Sequence, residues 1–209
     1  ILYFIRHSRS QPKIRRPPAI DGIDEAVKRS FEMGRPVVAE MGQVGHLTTD
    51  VRATQTIAGL NLVGYTAELC GRLGIGVTTF VPPNAPVVIA AEHMQAEGFA
   101  RAGSEARLKP DVRVIPTTGH QYSTRVGTEV LRMKAGAYIS VGAHMTSQMN
   151  SLELANRAGA ITISGSEFAA AASYLVPSSD YSFIGEEIYA AGAIASQDPN
   201  QLRSILAQD

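Results

Sequence analysis

Short apolar runs alternate with longer amphipathic stretches along most of this chain. The apolar runs have the length of strands, and in the longer stretches apolar residues recur at helical spacing. The pattern predicts five strands, at 35–41, 75–82, 111–118, 137–143 and 160–166. It predicts helices at 21–34, 51–74, 84–102, 123–136, 147–159, 167–176, 182–196 and 199–208.

This alternation predicts an α/β fold. Continuously apolar strands that alternate with helices form a parallel sheet covered on both faces. Five strands favour a three-layer, open, Rossmann-like sheet over an eight-stranded barrel. The chain has 209 residues, 44% hydrophobic and 18% charged, which fits one ordered domain and argues against disorder.

The domain is expected to span 21–209, after a basic lead-in and linker at 1–20. Pro17 and Pro18 lie in that linker, and we expect them to prevent a helix there.

The single cysteine, Cys70, excludes an intramolecular disulfide and a cysteine-based zinc site. It falls near the end of a predicted helix, which favours a buried core residue over a reactive thiol.

The charge distribution divides the chain into a basic arm and an acidic body. Five of the 19 basic residues fall in the first sixteen positions, which hold no acidic residue, so the remainder has 14 basic against 19 acidic residues. An apolar stretch at 1–5 followed by Lys and Arg is typical of the cytoplasmic end of a transmembrane helix. The residues expected near a membrane are Arg6, Arg9, Lys13, Arg15 and Arg16.

Two alternatives remain for this arm. One is an edge strand followed by a solvated basic loop. The other is a nucleic-acid-binding arm, which we rank last because the body is acidic. The favoured interpretation is a membrane-anchored protein whose soluble domain is cytoplasmic and binds no nucleic acid.

Candidate chemistry lies in the loops that follow the strands, because open parallel sheets bind ligands beyond the carboxyl ends of their strands. Three of the five histidines fall in these loops, which raises the question of whether they share one pocket. Two serines there are also good helix caps, so Ser164 and Ser166 have a purely structural alternative. The candidate rim consists of His46, Thr48, Thr49, Asp50, Thr117, Thr118, His120, His144, Thr146, Ser164, Ser166 and Glu167.

Named catalytic motifs are missing from the sequence. It contains no dinucleotide-binding fingerprint, no Walker A motif and no nucleophile elbow. The histidine spacing does not support a metal site. We therefore predict no metal and no cofactor, and assign no catalytic residue. Helix amino termini at this edge can hold a phosphate or carboxylate, in which Thr49 and Asp50 would take part.

Several segments together resemble an uncharacterised family of membrane-associated bacterial and archaeal proteins, a domain of unknown function. The resemblance covers about residues 17–209 and is carried by "FIGEEIYAAGAIASQDPNQLRSILAQD", "IRRPPAIDGIDEAVKRSFEMGRPV", "GQVGHLTTDVRATQTIAGL" and "VPPNAP". It implies transmembrane helices beside a Rossmann-like soluble domain and supplies no catalytic residues.

Two functional hypotheses follow. The favoured one is a non-enzymatic cytosolic domain of a membrane-anchored protein that acts through self-association, as a homo-oligomer, or through a partner. The small-residue helices at 167–175 and 188–196 fit either a subunit interface or ordinary tight packing. The alternative is a domain or enzyme that binds a small anionic or nucleotide-like ligand at the carboxyl edge of the sheet.

Overall fold

A computed structural model describes residues 16–42, 47, 52–144 and 146–196, and in these residues the strands form one open parallel sheet. The elements in chain order are α1 Pro18–Glu32, β1 Val37–Gly42, α2 Ala53–Leu73, β2 Val77–Val81, α3 Ala85–Arg101, β3 Asp111–Val114, α4 Gly119–Met133, β4 Ala137–Ala143, α5 Gln148–Ala158, β5 Ile161–Ser166, a 3-10 turn Ala169–Ala171, α6 Ala172–Ser178, β6 Tyr181–Ile184 and α7 Glu187–Ser196. The predicted α/β class and the helix-covered open parallel sheet are confirmed.

The strand order is β3-β2-β1-β4-β5-β6, so the chain reverses its direction of growth between β1 and β4. Helices α1, α2, α3 and α7 cover one face of the sheet, and α4, α5 and α6 cover the other. Open α/β sheets bind their ligands beyond the carboxyl ends of the strands at such a reversal, which here lies between β1 and β4.

The sheet has a sixth strand that the sequence pattern did not predict. Residues Tyr181–Ile184 extend the sheet beside β5, with Ile163 paired to Tyr181 and Ser166 to Ile184. The pattern placed Ser182–Ile184 at the start of a helix, which was wrong because α7 begins only at Glu187. The helix predicted at 199–208 lies outside the described residues.

The first helix begins within the proline pair. Helix α1 starts at Pro18, with Pro17 at its N-cap, and the adjacent Ala19 and Ile20 are buried in the core. The expectation that these prolines prevent a helix was wrong, because the first helical position has no hydrogen bond for its N–H to lose.

Glycines allow close approach between the helices on the face of the sheet that α1, α2, α3 and α7 cover. A Cβ added at Gly192 of α7 would lie 2.7 Å from the Cα of Ala58 in α2. This contact between small residues is internal to the domain and is therefore ordinary tight packing. Cys70 is a buried residue of α2, and burial raises the pKa of its thiol to about 12, as expected for a core cysteine.

Strand β3 forms one edge of the sheet and has only four residues. Its half-exposed Asp111 carboxylate pairs with the Arg113 guanidinium at 2.8 Å, and it accepts a hydrogen bond from Thr78 of β2 at 2.8 Å.

Within the described part of the chain, no helix combines the length and the apolar composition that crossing a bilayer requires.

Candidate functional site

A group of buried polar side chains lies near the carboxyl ends of β1 and β4, on the face that α4 and α5 cover. We call this group the Glu40 cluster, and each of its side chains is at most 1% exposed. It consists of Glu40, Tyr138, Ser140, His144, Gln148 and Ser151.

The alternation of strand residues explains why these groups meet. Glu40 in β1 and Ser140 in β4 are paired across the two strands, so both side chains point to the same face. Gln148 and Ser151 come from the first turn of α5, which follows β4. On the opposite face, Ala39, Met41 and Ile139 contribute only apolar side chains to the core. Strands β1 and β4 thus present apolar side chains to one face of the sheet and a carboxylate to the other.

The two carboxylate oxygens of Glu40 have different surroundings. Oε1 accepts hydrogen bonds from the hydroxyl of Tyr138 and from Ser140 Oγ at 2.9 Å, and Ser151 Oγ lies 3.3 Å away. Oε2 is buried and has no partner. Among the described residues no lysine or arginine forms a salt bridge with Glu40. Burying a carboxylate without a counter-charge is costly, so the arrangement needs an explanation.

The hydroxyl of Ser140 is the hub of the cluster. Its proton goes to Glu40 Oε1, so its oxygen accepts from the Gln148 amide Nε2 at 2.9 Å and from the ring of His144 at 3.2 Å. A hydroxyl has one proton and two lone pairs, and all three are used. This assigns the proton of His144 to Nε2 and leaves Nδ1 as an acceptor.

Three atoms of the cluster therefore lack partners, and all three are acceptors. They are Oε2 of Glu40, Nδ1 of His144 and Oε1 of Gln148. In each side chain, a single carbon separates the unpartnered atom from a second polar atom, and that second atom is hydrogen-bonded to Ser140 Oγ. A purely structural polar network satisfies all of its members, because an unpartnered buried polar atom costs about 1–3 kcal/mol. Here each side chain is satisfied on one side only.

Burial and the Glu40 carboxylate shift the pKa values of the neighbouring groups. Desolvation, followed by the negative charge of Glu40, raises the pKa of Tyr138 and of Tyr122 well above the usual value, so both phenols stay protonated. Tyr122 donates its hydroxyl to the carbonyl oxygen of Phe80 at 3.1 Å. Desolvation lowers the pKa of His144, partly opposed by Glu40, so its imidazole is neutral at neutral pH.

A neutral, buried His144 predicts that acid weakens the fold. The unfolded chain takes up a proton on this histidine as the pH falls below 6.5, whereas the folded domain does not. The free energy of unfolding should therefore fall between about pH 7.5 and pH 5 in urea titrations. His144→Asn should reduce this dependence.

The matched control for this prediction is His120→Asn, because His120 is an exposed histidine at the start of α4. This variant should keep the wild-type pH dependence. Equal slopes for wild type and His144→Asn would contradict a buried, neutral His144.

Buried atoms without partners concentrate at the carboxyl edge of the sheet. Of the eight described residues that carry such an atom, six lie at or next to this edge, whereas Ser30 and Arg101 lie elsewhere. The six are Glu40, Gln55, Thr117, Ser123, His144 and Gln148. Because native interiors rarely leave polar groups unpaired, this concentration marks the edge as the candidate site.

The structure separates two of the histidines predicted for the rim. His120 is exposed and lines a groove of 780 Å³ beside α5, together with Thr146. His144 is fully buried against Ser140 and does not line that groove.

The remaining described rim residues are dispersed. Thr117 has a buried hydroxyl without a partner, and Thr118 is at the exposed N-cap position of α4. Ser164 and Ser166 are buried inside β5; Ser164 accepts a hydrogen bond from Ser179 at 2.7 Å and Ser166 accepts one from the backbone N–H of Phe168 at 3.3 Å. Glu167 accepts a hydrogen bond from Tyr189 of α7.

The strand that contains these serines ends at Ser166, as predicted. The helix predicted at 167–176 is a 3-10 turn followed by α6, so the two serines are strand residues rather than caps of a helix at Glu167.

Several predicted positions lie outside the described residues. In the rim these are His46, Thr48, Thr49 and Asp50, and in the basic arm they are Arg6, Arg9, Lys13 and Arg15. Arg16 is described and forms an exposed ion pair of 2.7 Å with Asp21 of α1.

The sequence did contain a signal for the residues that the rim prediction missed. Glu40 is a charged residue inside an apolar run, and buried parallel strands are otherwise continuously apolar. Tyr138 and Ser140 stand two positions apart in β4, so they share the face of Glu40. Searching only the loops excluded all three.

Comparison with known protein families gives a match. A family model with the description domain of unknown function (DUF6754) matches residues 1–209. No curated protein and no solved structure matches the chain significantly.

Within the described ranges, no group of three or more His, Cys, Asp or Glu side chains is arranged to hold a metal ion.

Proposed function

We propose that this chain, which belongs to the family described as domain of unknown function (DUF6754), binds a small polar molecule at the Glu40 cluster. The observation that carries the proposal is the set of three buried acceptor atoms without partners, on Glu40, His144 and Gln148. They lie where the strand order reverses, the usual ligand position in an open parallel sheet.

The chemistry of these atoms decides what kind of ligand fits. Acceptor atoms bind hydrogen-bond donors, so hydroxyl or amine groups suit the cluster. An anion would face the unshared electron pairs of Glu40. The anionic or nucleotide-like ligand expected from the loops is therefore disfavoured at this position.

The cluster is covered in the structure. Because Glu40 and His144 are at most 1% exposed, a ligand reaches them only when the surrounding side chains move. Closure of this kind excludes water and strengthens hydrogen bonds to the ligand. Binding by this domain is thus expected to be selective for small groups.

A thermal-shift screen tests the proposal. Wild-type protein would be heated with four classes of small molecule: amines, polyols, carboxylates and phosphates. A ligand at 100 times its Kd adds about 2.7 kcal/mol of stability, which raises the Tm of a domain of this size by several degrees. Amines or polyols should give such a shift, and Glu40→Gln should reduce it.

His120→Asn serves as the control, because His120 lines the separate groove beside α5. It should keep the wild-type shift. A shift that Glu40→Gln retains and His120→Asn loses would move the site to that groove and contradict the proposal.

Membrane attachment through the basic arm and self-association stay predictions from the sequence. Residues 1–15 lie outside the described structure, and Arg16 is engaged with Asp21.

A further inference from the structure

We infer that the group bound at the Glu40 cluster is a primary ammonium group; this inference rests on the proposed function. The unpartnered atoms on Glu40, His144 and Gln148 comprise a carboxylate oxygen, an imidazole nitrogen and an amide oxygen. All three accept hydrogen bonds, and a primary ammonium group donates three.

The number of protons distinguishes an ammonium group from other small donors. A hydroxyl group donates one hydrogen bond and a water molecule donates two. Either would leave at least one of the three acceptors unsatisfied in a buried environment. Ser140 cannot supply a further donor, because its only proton goes to Glu40 Oε1.

The charge balance of the cluster points in the same direction. Glu40 is buried, and among the described residues it has no salt bridge to lysine or arginine. The other groups around it are neutral, because Tyr138 and Tyr122 stay protonated and His144 is uncharged at neutral pH. A bound ammonium group supplies the counter-charge that a buried carboxylate requires.

A metal ion fits the same atoms less well. Structural and catalytic zinc sites take three or more His, Cys, Asp or Glu ligands, and no such group occurs in the described residues. In the Glu40 cluster only Glu40 and His144 are ligands of this type. An ammonium group, by contrast, donates hydrogen bonds to an amide oxygen as well as to a carboxylate oxygen.

Matched small molecules test the inference. Titration calorimetry on the whole chain would compare ethanolamine with ethylene glycol, which has a hydroxyl in place of the amine. Tetramethylammonium carries the charge without an N–H, and magnesium and zinc chlorides test metal ions. Ethanolamine should bind, and the other probes should bind at least about tenfold more weakly, because charge-assisted hydrogen bonds are lost.

Two further measurements locate the ammonium group. Glu40→Gln keeps the size of the side chain and should weaken ethanolamine binding by about 10- to 100-fold. In the wild type, nitrogen NMR of the imidazole should show the proton on Nε2 of His144. Ethanolamine should shift the resonance of Nδ1, which is a readout that does not depend on any variant folding.

The outcomes distinguish failure of the ammonium assignment from failure of the proposed function. Equal binding of ethylene glycol, or binding of a metal ion alone, would overturn the ammonium assignment and leave a polar-ligand site in place. Binding of ethanolamine with an unchanged His144 Nδ1 resonance would place the amine elsewhere and overturn the assignment. If amines, polyols, carboxylates and phosphates all fail to bind, the proposed function fails as well.

Discussion

Alanine in place of Gly98 is expected to destabilise the domain by about 1–3 kcal/mol, and to unfold it if the helices cannot separate. Gly98 lies in α3 against α2. A Cβ there would lie 2.3 Å from the carbonyl oxygen of Gly64, 2.8 Å from the Cβ of Ala67 and 2.9 Å from the backbone nitrogen of Glu68. Two of these are backbone atoms, which cannot rotate out of the way.

Helix propensity alone predicts the opposite sign, since alanine is favoured over glycine by about 1 kcal/mol inside a helix. Urea unfolding of wild type and Gly98→Ala therefore decides between propensity and packing. The control is Gly76→Ala, because a Cβ at Gly76 would have no neighbour within 4 Å. That variant should be unchanged or more stable by about 0.4–1 kcal/mol. A Gly98→Ala protein as stable as wild type would contradict the close packing of α2 and α3.

Removing the hydroxyl of Ser140 is expected to cost about 1–3 kcal/mol of stability and to abolish ligand binding at the Glu40 cluster. The substitution Ser140→Ala takes away the acceptor for His144 Nε2–H and one donor to Glu40 Oε1. Both groups are buried, so water cannot replace the lost partner without entering the core. Urea unfolding and calorimetry with ethanolamine give the two readouts.

Ser173→Ala is the matched control for this prediction. Ser173 is a serine whose hydroxyl donates only to the carbonyl oxygen of Ala170, at 2.9 Å in an exposed position. Its removal should change stability by less than about 0.5 kcal/mol. If Ser140→Ala and Ser173→Ala cost the same, Ser140 is not the hub of the cluster.

The layers of the fold could be predicted from the sequence because the strands in the middle of the sheet are mostly apolar. The strand at β6 could not be predicted. Its four residues, Tyr181–Ile184, are too few to show a period, and the apolar residues that follow match a helix. Pairing with β5 decides their conformation, and that contact joins segments that periodicity treats separately.

The edge that carries the candidate site could be predicted, but the contacts of its most informative residues could not. His144 was found because it follows β4, and His120 was found by the same rule although it lines an exposed groove away from the Glu40 cluster. Glu40 was missed because its importance depends on the register that pairs it with Ser140. The sequence shows that Glu40 is a charged residue in an apolar run. Only the strand pairing shows that its carboxylate accepts a hydrogen bond from Ser140.

The ion pair on β3 also limits how copies of this domain can associate. An exposed strand edge is a template for another strand, and natural proteins discourage such edge-to-edge aggregation with short strands and charges. A second copy that extended the sheet at β3 would have to strip water from Asp111 and Arg113. Assembly through continuous β-sheet is therefore disfavoured at this edge of the sheet.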